Sequence, residues 1–109
     1  MEIEDLIFVG FNSRVAALDR NTGDIVWSWK APKGTGFVAV LLDTDRLIAS
    51  VDGYTYCLDP RTGSTMWENH LKGLGTGVPC LASVAGQSSY PILAEAQKEQ
   101  QRSAANAGT

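Results

Sequence analysis

An all-β fold built from a repeated four-stranded antiparallel unit is predicted by three features of this sequence. Its apolar residues fall in short runs rather than at helical spacing, turn-forming residues separate those runs at roughly 8–12-residue intervals, and a ten-residue pattern occurs twice, 40 residues apart. The chain has 109 residues, room for one domain. With 44% hydrophobic and 19% charged residues it carries enough apolar surface to fold, which excludes disorder as its global state.

Eight strands follow in order, at about residues 6–11, 14–19, 25–31, 37–42, 46–51, 54–59, 65–71 and 78–84. The first runs from Leu6 to Phe11 and is closed by Asn12-Ser13, two residues that tolerate positive φ. The second carries Val15, Ala17 and Leu18, and Asn21-Thr22-Gly23 turns it into the third, which holds Trp27 and Trp29. The fourth contains the longest apolar run, Phe37 to Leu42, far short of the roughly 20 residues of a membrane-spanning helix. A turn flanked by Asp43 and Asp45 leads to the fifth, and Asp52-Gly53 joins the fifth to the sixth. Arg61-Thr62-Gly63 joins the sixth to the seventh, which holds Trp67. The eighth spans Val78 to Val84. Residues 1–86 are thus the repeat region and 87–109 a polar tail, helical or disordered, since no large apolar residue follows position 93.

The period is read from Leu18-Asp19-Arg20-Asn21-Thr22-Gly23-Asp24-Ile25-Val26-Trp27 against Leu58-Asp59-Pro60-Arg61-Thr62-Gly63-Ser64-Thr65-Met66-Trp67, identical at Leu, Asp, Thr, Gly and Trp. Gly34-Thr35-Gly36 recurs as Gly75-Thr76-Gly77 after one inserted residue. Four antiparallel strands per 40 residues is the size of one β-propeller blade. The stretch Ala17 to Trp27 resembles the tryptophan-docking motif of the PQQ-like (quinoprotein) β-propeller repeats, and the second copy departs from it only by Cys57 where Ala is usual. The Gly-His and Trp-Asp signatures of WD40 repeats, the nearest alternative in period, are missing. The resemblance implies a structural motif of Ala17, Asp19, Thr22, Gly23 and Trp27, repeated as Asp59, Thr62, Gly63 and Trp67. In it the Asp carboxylate accepts bonds from its own turn and the Trp lies on the neighbouring blade. Trp27 and Trp67 are expected to be equivalent and costly to remove. Trp29, replaced by Asn69 in the second copy, is expected to matter less.

Chemistry finds little purchase. Nine Lys and Arg against twelve Asp and Glu give net charge −3, the wrong sign for phosphate contacts, so no nucleic-acid partner is expected. His70 is the sole histidine, which leaves no multi-imidazole metal site. No nucleophile elbow occurs, and the two Gly-Thr-Gly turns lack the Lys of a phosphate loop. They are expected to be inter-blade turns. Asp43 and Asp45 are expected to be solvated, because a hard cation takes six or more oxygens. Cys57 and Cys80 sit in apolar runs and are expected to be buried, reduced thiols.

The resembled family includes PQQ-dependent dehydrogenases that hold calcium with carboxylates and amides, but none of their ligands maps onto these residues. The expectation is a non-catalytic propeller module, a scaffold binding a protein or ligand without a cofactor. The alternative is a fragment or subunit of a PQQ-dependent dehydrogenase, with PQQ and calcium. Two blades do not close a ring of 4–8. Self-association into three or four chains, or completion by missing blades, is therefore expected, with a further protein partner possible on either account. With no apparent signal peptide or membrane span, the cytoplasm is the expected compartment and no membrane contact is expected.

Overall fold

A computed structural model describes residues 1–87 and places two antiparallel sheets against one another. After a single 3-10 turn at Ile3–Asp5, the first sheet has the order β1 (Leu6–Phe11), β2 (Arg14–Asp19), β3 (Ile25–Lys30). The second has the order β4 (Ala39–Asp43), β5 (Arg46–Val51), β6 (Tyr54–Leu58), β7 (Thr65–Asn69). A two-stranded ladder of β8 (Ala82–Ser83) and β9 (Gly86–Gln87) follows. By the period of 40, β1–β3 are the counterparts of β5–β7, so the first sheet lacks the strand that β4 supplies to the second. This is a partial propeller. No helix among the described residues is long and apolar enough to cross a membrane.

The repeat is written into the backbone. Asn12 and Ser13 (φ 48° and 63°) and Asp52 and Gly53 (φ 55° and 97°) both place two consecutive positive φ values in the hairpin, as the right-handed twist of the flanking strands favours. A register irregularity falls between Ala17 and Leu18 in the first sheet and between Cys57 and Leu58 in the second, 40 residues on.

Side chains alternate across each sheet. On the first, Phe8, Gly10, Val15, Ala17, Trp27 and Trp29 share a face in register. Val15 and Ala17 are fully buried there. The second sheet answers with Leu47, Ala49, Val51, Tyr56 and Leu58. With Val38 and Ala31 these residues make one core, lying between the sheets rather than inside either. Gly10 permits the approach, since a β-carbon there would stand 3.0 Å from both the Val38 carbonyl oxygen and Val40 Cγ1.

The eighth strand differs from expectation. Among the described residues the eighth strand is Ala82–Ser83 rather than 78–84, Pro79 having no N–H to donate to a ladder, and β9 forms beyond it. The fourth strand begins at Ala39 rather than residue 37. The seventh ends at Asn69, where the chain turns out through Leu71 at φ 48°. The expected tail beyond Gln87 lies outside the described residues.

Tyr56 ties the strand core to the crossover between the sheets. Its hydroxyl donates to the Lys33 carbonyl and accepts from the Lys33 N–H, both at 3.2 Å, and its ring meets Trp29 edge-on with centroids 4.8 Å apart. Burial, with a smaller contribution from Glu68, raises the phenol above its usual 10.0 despite the opposing Lys33 bond. A group whose folded pKa is raised contributes stability that is present below the unfolded value and lost as pH climbs towards the folded one. The unfolding midpoint is therefore expected to fall steeply above pH 10, and Tyr56→Phe to flatten that fall while costing about 1 kcal/mol at neutral pH. Identical alkaline slopes for the two proteins would count against it.

The two thiols part company. Cys57 is fully buried and burial pushes its thiol up, whereas Cys80 is exposed, contrary to expectation, lying next to Pro79 and ahead of the start of β8 at Ala82. Titration with a thiol-specific aromatic disulfide should modify Cys80 quickly and Cys57 only after denaturant is added.

Candidate interaction site

Both copies of the decapeptide form the same turn. Asp19 Oδ1 accepts from Asn21 N–H at 2.8 Å, and Asp59 Oδ1 accepts from Arg61 N–H at 2.9 Å. Thr22 Oγ1 accepts from Asp24 N–H and Thr62 Oγ1 from Ser64 N–H, each at 3.2 Å. Gly23 and Gly63 donate to the Asp19 and Asp59 carbonyls at 2.8 Å, with φ of 78° and 79°. A side chain with a β-carbon is strained in that conformation.

What touches the two turns is different. Trp27 of the first copy lies over Gly63 of the second, so close that a β-carbon on Gly63 would stand 2.6 Å from the indole Cε3. Its Nε1–H donates to the Pro60 carbonyl at 2.9 Å. Thus Trp27, paired across β2 with the fully buried Ala17, meets Pro60 and Gly63 of the other sheet. Nothing stands within 4 Å of a β-carbon on Gly23. Trp67 pairs with Cys57 as Trp27 does with Ala17, yet it is 48% exposed. Trp29, expected to be the lesser residue, packs on Tyr56 and donates from Nε1 to Thr65 Oγ1 at 3.2 Å. The surroundings of the three tryptophans thus differ from the expected ranking: Trp27 and Trp29 both meet the second sheet, and Trp67 is half exposed.

The Gly-Thr-Gly turns behave in the same unequal way. Gly34 (φ 94°) passes so near Val51 that a β-carbon would lie 2.7 Å from its carbonyl oxygen, and Thr35 N–H donates to Asp52 Oδ2 at 2.9 Å. Ser13 fastens the same crossover, donating from its N–H to the Gly36 carbonyl and accepting from Gly36 N–H at its hydroxyl. The second turn, at Gly75, meets nothing within 4 Å of a β-carbon. Beside it a cleft of about 500 Å³ is lined by Lys33, Asp52, Tyr54, His70, Lys72 and Thr76, among others.

That cleft does not fit calcium. Asp52 is its one carboxylate and already holds the Thr35 amide, against the six or more oxygens a hard cation takes. His70 Nε2 stands 3.4 Å from Glu68 Oε2, at ion-pair distance but without hydrogen-bond geometry, and its ring meets Tyr54 edge-on. Asp45 pairs with Arg46 at 3.1 Å on the surface. No cluster of three or more His, Cys, Asp or Glu suited to a metal occurs among the described residues.

Ser13 and Asp52 stood out in the sequence only as hairpin residues, not for the bonds they make to the crossover, and Gly10 and Tyr56 did not stand out at all. Of the latter two, only Gly10 carried a usable signal, a glycine inside an apolar strand.

The family model described as "Outer membrane protein assembly factor BamB", a PQQ-repeat model, matches residues 12–95. A solved structure, BamB from Moraxella catarrhalis, is similar with a TM-score of 0.53 and 25% identity over 69% of this chain. The chain spans 22% of the length of that structure. No curated protein matches the sequence.

Proposed function

The chain belongs to the PQQ-like β-propeller repeat family, and on that premise we propose that it is a non-catalytic propeller segment whose work is to bind protein, acting through the repeat motif as a docking device. The contact of Trp27 with Gly63 and Pro60 carries this proposal, because one unit is seated on the next through a Trp and a Gly present in both copies and through a backbone carbonyl, that of Pro60, whose counterpart is Arg20. In the proposal Ala17, Asp19, Thr22 and Gly23, and likewise Asp59, Thr62 and Gly63, shape the turns, while Trp27 and Trp67 are the elements that dock. The partner supplies further blades, and no cofactor takes part. The assembly role named for the matched family supports a protein partner over a small substrate. The cytoplasm remains the proposed compartment, supported by two free thiols, which a reducing environment preserves.

Two measurements test this. Further units of the same repeat, supplied in excess as a separate polypeptide, should raise the thermal midpoint by mass action. Incubation with PQQ and calcium should give no dye reduction with alcohols or sugars. Turnover in that assay would replace the proposal with the dehydrogenase alternative.

A further inference from the structure

We infer that the bare face of β1–β3 is a socket for a second copy of this chain, which docks head to tail by laying its Trp67 on the turn at Gly23. This deepens the protein-docking proposal and rests on it.

The socket is defined by equivalence. On the face of the first sheet turned away from the core, Ile7, Val9, Phe11 and Leu18 stand where the second sheet has Leu47, Ala49, Val51 and Leu58. The latter four are exposed by 1% or less beneath the first sheet. Ile7 and Phe11 are 48% and 57% exposed, and Phe11 borders a groove of about 290 Å³ together with Val9, Ala16, Leu18 and Ile25. The same pattern of side chains is covered in one unit and bare in the other. Contiguous apolar surface of this kind marks an interaction site.

At the rim of the socket the Asp19–Gly23 turn duplicates the bonds and φ of the turn that receives Trp27, and it has open space where an indole would lie. The Arg20 carbonyl then takes the part that the Pro60 carbonyl plays for Trp27. The matching plug is Trp67, half exposed and held in the same cross-strand register as its docked counterpart.

A copy of the chain is the occupant because one molecule carries both halves and cannot join them. In β6 the core-facing residues are Tyr54, Tyr56 and Leu58, so Cys57 and its partner Trp67 point away from the first sheet. Plug and socket therefore lie on opposite outer faces, the geometry of a heterologous contact that propagates from copy to copy and closes if the rotation permits. By the same equivalence β1 of the incoming copy takes the place beside β8 that β9 holds, so the two-residue β8–β9 ladder opens on docking.

Sedimentation velocity over a range of concentrations tests the inference with the full chain and two variants, Trp67→Ala, which lacks the plug, and Val9→Lys, which blocks the socket. Wild type should assemble as concentration rises. Each variant alone should sediment as a monomer, its dissociation constant raised at least about 30-fold. An equimolar mixture should give a one-to-one dimer that grows no further, since one intact plug meets one intact socket. Wild type monomeric throughout, variants that assemble as wild type does, or a mixture that stays monomeric would each overturn the inference. Both substitutions are at exposed positions, and far-UV circular dichroism checks their folding. Should either variant unfold, Trp67→Ser or Ile7→Lys takes its place with the same outcomes expected. If self-association fails while separately supplied repeat units still raise the thermal midpoint, this inference falls and the protein-docking proposal stands.

Discussion

Trp27→Ala is expected to destabilise the monomer by about 3 kcal/mol, the usual scale for truncating a packed aromatic, whereas Trp67→Ala costs less than about 1 kcal/mol, as surface substitutions do. The residues are equivalent by sequence and pair with equivalent neighbours, so the difference isolates what lies on the far side of the indole. For Trp27 that is Gly63, the Pro60 carbonyl and the ring of Phe8, whose centroid is 6.1 Å away. Trp67 is half exposed. Urea denaturation at concentrations where the chain is monomeric measures both, and equal losses would break the link between docking and stability.

A second pair of substitutions separates backbone strain from packing. Gly23→Ala and Gly63→Ala place a methyl group on turns of nearly identical φ, 78° and 79°. The first should cost about 1 kcal/mol, the penalty of a left-handed alanine, since its methyl enters open space. The second should cost about 3 kcal/mol, because displacing a packed ring adds the penalty of overpacking. Its methyl would collide with Trp27 Cε3 and Cδ2, at 2.6 and 2.8 Å. Loss of the change in tryptophan fluorescence on unfolding of Gly63→Ala would identify the displaced indole. Equal costs at the two glycines would refute the packing account.

Local chemistry made much of the architecture readable from residues alone. Asn12-Ser13 and Asp52-Gly53 announce tight hairpins through their tolerance of positive φ, and the paired Asp-x-x-Thr-Gly turns announce the repeat. What the residues could not convey is which copy has a neighbour. Trp27 and Trp67 share every local cue, yet only position along the chain decides that Trp27 has a sheet to rest on. The same blindness explains the exposure of Cys80 and the late start of β8, since apolar character at 78–84 does not say which of those residues are covered. Tyr56 was hidden for another reason. It contributes through a hydroxyl bonded to Lys33, 23 residues earlier, and a Tyr in a strand is ordinary.

The placement of the core between the sheets, rather than within either, has a consequence during synthesis. When β3 has been made, the first sheet has its hairpins but nothing to bury Val15, Ala17 and Trp27 against, and the last of its covering residues, Leu58, is still 28 positions short of translation beyond Lys30. At about 5–20 residues per second, the ribosome leaves the nascent first sheet without a tertiary partner for a few seconds. In that interval its apolar faces and the edge of β1 are open to chaperones and proteases, and the two units acquire stability together rather than in turn.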